Sequence, residues 1–257
     1  MTKKYQAPIV KKAFLILDVI SKSSQGLKIS EISSRLDISK STVHGITAAL
    51  EDQGAILRDP VTKKYTVGIT LMELGKAAYE RLDFKNIARP FMEELMEQCQ
   101  ESVFLGIRNA HKVTVIDIVE SRKDFKITSP IGTTLPLLAG AIGKLFLSQM
   151  EAKDAQKYLN SNPLVKFTAN TIIDPLQYAR ELEKVRKNGF ATDDEEYISG
   201  VRAVVAPVKG YGAYVLAIWV VGFKASMSRK KIPSIIEQTL AAADKITKKL
   251  SGVNGEW

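Results

Sequence analysis

Cysteine is nearly absent. Cys99 stands alone in 257 residues, so no disulfide can close within the chain. That fits a reducing cytoplasm. Histidine is almost as scarce, with only His44 and His111. No His-x-x-x-His pair, nucleophile elbow or glycine-rich phosphate loop occurs. Cys99 falls on the apolar side of an expected helix, where a thiol is buried and inert. His111 sits in an expected turn beside Lys112 and reads as a solvated hairpin residue. Asp193-Asp194-Glu195-Glu196 has the look of a metal site. Four acids in a row usually form a solvated loop, however, and no nearby histidine supports a transition metal. The expectation is a non-enzyme, with no catalytic residue, metal ligand or cofactor.

Long apolar runs are missing too. The stretch from Ala213 to Phe223 is too short to span a bilayer as a helix. Phe14-Leu15-Ile16-Leu17 after Lys11-Lys12 faintly imitates a signal peptide, but Asp18 interrupts it and no small-residue cleavage site follows. There is no internal repeat and no low-complexity tract. A soluble cytoplasmic protein without membrane contact is expected.

Basic residues, by contrast, are in excess. The formal net charge is +9 and the pI about 9.4. Residues 1–77 hold twelve Lys/Arg against seven Asp/Glu, and the rest hold 25 against 21. The excess is densest in the first third. A basic lobe is drawn to polyanions, and counterion release from DNA supplies affinity that ignores sequence. An acidic membrane surface would also attract it, but no basic amphipathic anchor is evident.

The same third carries the most organised stretch, from Ile29 to Gly54. Ile32 and Leu36 sit four apart and share a helical face. A turn falls at Asp37 and Ile38. Ser39 can then cap a second helix by accepting from the Thr42 N–H. Val43, Ile46 and Leu50 form its apolar stripe. Lys40, Ser41, His44 and Thr47 fall largely off that stripe, at the end that a recognition helix presents to base edges in the major groove. A hairpin should follow: a strand over 55–58, a polar tip at Asp59-Pro60-Val61-Thr62-Lys63-Lys64, and a return over 65–68. Lys63 and Lys64 are placed for phosphate contact. Helix-turn-helix plus hairpin makes a winged helix. The plainer alternative is a solvated hairpin on an ordinary α/β domain.

A helix from Val10 to Ser21 should come first, with Ala13, Leu17 and Ile20 on one face and Val10, Phe14 and Ile16 beside it. Leu27-Lys28-Ile29 is a possible strand against the wing. Residues 1–69 then form the winged helix-turn-helix domain, residues 70–83 a linker helix, and residues 84–257 a second domain. A helical linker transmits orientation, as a Gly/Ser tether would not. In the second domain a helix over 84–100 contains Pro90, which should kink or restart it. Strands are expected over 102–108, 112–119, 125–129, 190–192, 201–208 and 213–221. Helices are expected over 140–149, 152–159, 175–187 and 232–250. The fold class is α+β, with an antiparallel sheet and flanking helices.

Taken in order, these segments resemble the IclR family of bacterial transcriptional regulators over essentially the whole chain. The residues that carry the likeness are Ser39-Lys40-Ser41-Thr42-Val43-His44 and Lys64-Tyr65-Thr66-Val67-Gly68. In the second domain they are Ile131-Gly132, Leu135-Pro136-Leu137, Gly140-Ala141-Ile142-Gly143-Lys144, Glu195-Glu196, Gly200-Val201-Arg202 and Ala206-Pro207-Val208. The resemblance implies a GAF-like C-terminal domain that binds a small effector, and homodimers or tetramers. One departure is Gly45, where such regulators often carry Arg after the position of His44. DNA contact is expected from Lys40, Ser41, Thr42, His44 and Thr47, with Lys63 and Lys64 on backbone phosphate. The plain alternative for His44 is an exposed helix residue that touches nothing.

Effector residues follow from the same sources. The helix expected at Gly140 would present free N–H groups and the positive end of its dipole. A ligand carboxylate on the Gly140 and Ala141 amides is the specific expectation; glycines serving helix–sheet packing are the alternative. Asp193, Ala203, Trp219 and Val221 match family pocket positions. Ala203 stands where Cys is frequent. Trp219 and Val221 stand where regulators of small keto acids carry hydroxyls. Those three changes remove polar groups and favour an aromatic or apolar carboxylate as effector, unless Trp219 is plain core. The expected protein is a ligand-responsive regulator that binds double-stranded operator DNA, a repressor in the favoured reading, with an activator as the alternative the sequence leaves open. The rival is a GAF-like enzyme or metabolite-binding protein that uses its winged helix for protein contacts.

Overall fold

The computed structural model describes residues 7–80, 83–109, 112–209 and 215–253. The expected tips at His111 and Gly210-Tyr211-Gly212, the end of the linker helix at 81–82 and most of the loose N-terminus lie outside these residues. The chain forms two compact units, Met1–Leu82 and Asp83–Trp257.

The first unit opens with α1 (Pro8–Ser21), whose proline occupies the first turn, where its missing N–H costs nothing. Ile16 and Ile20 are buried, whereas Val10 and Phe14, expected near the same face, point to solvent. The α2 helix (Ile29–Leu36) is started by Glu31, whose carboxylate accepts from the Lys28 N–H at 2.7 Å. The expected strand at 27–29 therefore shrinks to one bridge, Leu27 to Tyr65, because Lys28 already belongs to the helix start. Asp37 ends α2 in the left-handed conformation (φ 51°). The α3 helix (Lys40–Asp52) follows, then the two-stranded wing of β1 (Ile56–Arg58) and β2 (Tyr65–Val67), paired Ile56 to Val67 and Arg58 to Tyr65. Ile16, Ile20, Ile32, Val43, Ile46 and Tyr65 belong to the core that binds these pieces. The α4 helix (Ile69–Glu80) buries none of its residues within the described chain.

The second unit is built on a six-stranded antiparallel sheet. In chain order its elements are α5 (Asp83–Cys99), β3 (Ser102–Asn109), β4 (Lys112–Val119), β5 (Thr134–Pro136), α6 (Gly140–Ser148), α7 (Ala152–Ser161), α8 (Pro175–Asn188), β6 (Ala191–Asp194), β7 (Val201–Val208), β8 (Leu216–Phe223) and α9 (Ile232–Val253). The strand order is β5-β4-β3-β8-β7-β6. α5 and α9 pack together, α5 on β3 and β4 and α9 on β7 and β8. On the helix bundle formed by α6, α7 and α8, Leu145, Phe146, Leu159 and Leu182 share one core with Phe104, Val205 and Trp219 of the sheet. The fold is α+β as expected. α5 runs through Pro90 without a break, with the proline on its exposed side.

Residues 125–129 are not a strand. The free edge of β4 is taken by β5 and by Thr133, whose carbonyl accepts from the Val115 N–H at 2.9 Å. Residues 121–130 instead form an irregular strap. Gly189 ends α8 at φ 78°, the left-handed cap that glycine permits. Among the described residues, no helix is long and apolar enough to cross a membrane.

Candidate functional site

Two surfaces carry the expected chemistry, one in each unit. In the first, the Ser39 hydroxyl accepts from the Thr42 N–H at 3.3 Å and lies 2.8 Å from the Thr42 hydroxyl. This caps α3 and fixes its exposed first turn. Lys40, Ser41, His44 and Gly45 are exposed there and Thr42 is half-buried. Nothing lies within 4 Å of a Cβ built on Gly45, so packing does not demand glycine at this position.

Thr47 must be withdrawn from the DNA-facing set. It is 0% exposed, and its hydroxyl donates to the His44 carbonyl at 3.0 Å. Position 47 lies one turn beyond Val43 and belongs to the buried stripe with Ile46.

The wing tip is shaped by Asp59. Its Oδ1 accepts from the N–H groups of Val61 (3.0 Å) and Thr62 (2.6 Å) and from the Thr62 hydroxyl (2.9 Å). Those bonds, led by the Thr62 amide, hold its carboxyl below the usual range. They also leave Lys63 exposed, at φ 58°, with Lys64 half-buried behind it. Arg58, which the pattern reading passed over, stands 5.7 Å from the Tyr65 ring centre on the same wing.

The second surface is a cavity of about 260 Å³ between the sheet and α6. Strand register assembles it. Asp193 of β6 pairs with Ala203 of β7, which pairs with Val221 of β8. Two rungs along, on the same face, Val205 pairs with Trp219, which pairs with Phe104 of β3. The Trp219 and Phe104 rings stack at 5.5 Å with an interplanar angle of 9°. Gly106 lies opposite a bulge at Ile116 of β4, and a Cβ there would come within 2.6 Å of the Trp219 ring. The missing side chain is therefore what lets the indole lie where it does.

Of the six expected effector residues, five line the cavity: Ala141, Asp193, Ala203, Trp219 and Val221. Gly140 does not. The Asp193 carboxylate stands against it so closely that a Cβ on residue 140 would overlap Oδ2. Gly140, at φ 50°, has no side chain where the Asp193 carboxylate lies, and that carboxylate accepts from the Glu196 N–H at 2.6 Å. Much of the rest of the wall carries no sequence signal, including Ile127, Thr128 and Ser129 of the strap and Tyr197 and Ile198 of the β6–β7 turn. Nothing in their spacing marks them, because the strap and the turn have no periodicity.

The four acids are not a solvated loop either. Asp193 is 8% exposed and faces the cavity. Asp194 pairs with buried Arg202 (2.6 Å) and with Arg229 (3.2 Å). Glu195 pairs with Lys224, and Glu196 with buried Lys144 at 2.6 Å. Asp194, Glu195 and Glu196 each have separate cationic partners because strand alternation and the turn send them different ways. Burial pushes the Asp193 carboxyl up to about 6, against the Glu196 N–H bond that favours its charged form. Cys99 is half-buried, and burial pushes its thiol up to about 11, which keeps it in the unreactive protonated state.

Comparison with known proteins agrees with this architecture. The family model described as the IclR helix-turn-helix domain matches residues 9–60, and that for the bacterial transcriptional regulator IclR C-terminal region matches residues 76–248. The regulator BhcR of Paracoccus denitrificans is 32% identical over 237 residues, covering 92% of this chain and 85% of its own. The crystal structure of IclR from Thermotoga maritima superposes with a TM-score of 0.65 at 31% identity, over 94% of this chain and 98% of the other. An IclR homologue from Microbacterium hydrocarbonoxydans, complexed with 4-hydroxybenzoate, shares the fold at a TM-score of 0.72 and 19% identity, over 95% and 99%. The relatives are named as regulators, not as enzymes. A capped helix with a basic wing, an apolar cavity and these matches lead to one assignment: the chain belongs to the IclR family of bacterial transcriptional regulators.

Proposed function

We propose that the chain is an effector-controlled repressor that works as a homodimer or tetramer on operator DNA in the cytoplasm. Lys40, Ser41, Thr42 and His44 meet base edges or the adjacent backbone, and Lys63 and Lys64 meet phosphate. The observation that carries this reading is the exposed first turn of α3, rigidly capped by Ser39 and presented beside a cationic wing in the same unit. Two such units would occupy half-sites in successive major grooves. Exposed Ile9, Val10, Phe14 and Leu15 of α1, and Ile69, Met72 and Leu74 of α4, favour self-association.

The effector enters the cavity lined by Ala141, Asp193, Ala203, Trp219 and Val221. Its apolar walls favour a small aromatic or apolar body, in keeping with the one-ring ligand of the Microbacterium homologue. Effector binding shifts the population of two subunit arrangements, and the linker helix passes the shift to the DNA-binding units.

Fluorescence anisotropy of a labelled duplex at rising salt tests the DNA half. Binding should fall steeply with salt. The Lys63→Ala/Lys64→Ala protein should show a slope shallower by about two if each lysine neutralises one phosphate. An unchanged slope, or no duplex binding, would remove the wing from the interface.

A further inference from the structure

The cavity wall is buried or half-buried at all but two places. Among its described lining residues, only Thr128 of the strap and Ile198 of the β6–β7 turn are exposed. The mouth therefore lies between the strap and that turn, and the two are held very differently.

Several elements tie the turn down. The Glu195 N–H donates to the Val201 carbonyl at 3.1 Å, and Glu196 pairs with buried Lys144 at 2.6 Å. From the loop between α7 and α8, the side chains of Thr168, Asn170 and Thr171 donate to the carbonyls of Glu195, Asp194 and Glu196 at 2.6, 3.1 and 2.6 Å.

The strap is anchored at its ends. Ser121 is 1% exposed; its hydroxyl donates to the Gln100 carbonyl at 2.9 Å and its N–H to the Ser102 hydroxyl at 3.1 Å. At the far end the Gly132 N–H donates to the Val115 carbonyl at 2.8 Å, with Gly132 at φ 89°. Between the anchors, no backbone group of residues 124–129 bonds to the backbone of another described residue. Phe125, in mid-strap, is 85% exposed. Ile127 packs against the core, and Glu120 supplies the other restraint: its carboxylate accepts from the Thr128 hydroxyl and pairs with Lys126 at 3.0 Å. Both partners of that ion pair keep a third or more of their side chains in water. Such a pair is weak and easily remade.

We propose that residues 124–129 are a gate over the cavity mouth, that Glu120 is its latch, and that the β6–β7 turn is the fixed jaw it closes against. The inference rests on the reading of the C-terminal unit as the effector-binding unit and adds how a ligand gets in. Opening carries Ile127 and Thr128 away from Ile198, with Ser121 and Gly132 as the hinges. Loop motions of this kind take nanoseconds to microseconds. Glu120 is not part of the cavity wall, so it is a positioning residue that governs passage without touching the ligand.

Acrylamide, a small neutral quencher, tests the gate without any effector. In the full-length Trp257→Phe protein, Trp219 is the only tryptophan, and it lines the cavity. Glu120→Ala should raise the acrylamide quenching constant of Trp219 at least about twofold, by raising the population of open straps. Its thermal midpoint should stay at the parent value, because the lost pair is exposed. Thr128→Val should behave likewise, whereas Thr128→Ser, which keeps the hydroxyl, should hold the parent constant. Thr171→Val should instead lower the thermal midpoint, since it removes a bond from the fixed jaw. An unchanged constant in Glu120→Ala, an equal rise in Thr128→Val and Thr128→Ser, or a rise in Glu120→Ala that comes only with a lower thermal midpoint would overturn the proposal. Acrylamide is not the effector, so failure of the effector-binding reading, seen in a ligand screen on the parent protein, would leave the quenching results standing.

Discussion

The two units solve recognition in opposite ways. In the first, the proposed contact residues sit on one exposed helical turn and one hairpin tip, all within 25 consecutive positions from Lys40 to Lys64. In the second, the cavity residues span Phe104 to Val221 and are brought together only by strand pairing. A surface reader can be local, since the duplex supplies the rest of the site. A cavity must be assembled from distant strands, since its walls have to come from the chain itself. The difference also shows in electrostatics. The exposed unit gathers positive charge in water, where it costs little to expose and salt limits its reach to about 10 Å. The cavity is lined by one acid, Asp193, held largely away from water, where its charge is costly.

That contrast can be broken first at Gly106. Gly106→Val would drive methyl groups into the Trp219 indole, whose far edge already lies 2.6 Å from where a Cβ would be. We expect a loss of about 2–3 kcal/mol or more in unfolding free energy, read by urea titration, from overpacking. Duplex affinity at a permissive temperature should be retained, because the change lies in the other unit. A joint loss of both would mean that the units are not separable in function.

The next effect is a pH dependence. The folded Asp193 carboxyl titrates near 6, raised above its ordinary 3.8. The folded state therefore binds its proton more tightly than the unfolded chain does, and stability is lost as pH rises through that window. Asp193→Asn removes the penalty. Each tenfold change in proton affinity is worth about 1.4 kcal/mol. The variant should therefore be more stable than wild type above pH 6 by up to about 3 kcal/mol, and the gap should close near pH 4. A gap independent of pH would mean that the acid is not desolvated. The smallest effect is expected at Gly45→Ala. With open space around residue 45, the variant should gain about 1 kcal/mol of stability from helix propensity alone, with duplex affinity little changed.

The winged helix was readable because its signals are local. The Ser39 cap, the Asp37 turn and the Lys63-Lys64 tip each depend on neighbours within four residues. Thr47 was misplaced because a threonine is polar by type yet buries readily once its hydroxyl finds a backbone carbonyl, as it does at His44. In the second unit the helices and hairpins were legible from periodicity and turn residues. The strap at 121–130 was not, since Phe125-Lys126-Ile127 alternates like a strand but meets an edge already taken. Asp193, Ala203, Trp219 and Val221 emerged from family likeness, and Ala141 from the expected helix start. Gly140 was misjudged because only the fold reveals that Asp193, more than fifty positions away, stands against it.

The central claim is that the exposed first turn of α3 reads base sequence while the wing supplies charge. The direct measurement is the affinity ratio between a duplex enriched from a random pool and a scrambled duplex of equal length, for wild type, Ser41→Ala/His44→Ala and Thr47→Val. The account predicts that the double variant loses at least about tenfold in this ratio with its salt slope unchanged, and that Thr47→Val keeps the wild-type ratio. An undiminished ratio in the double variant would contradict it.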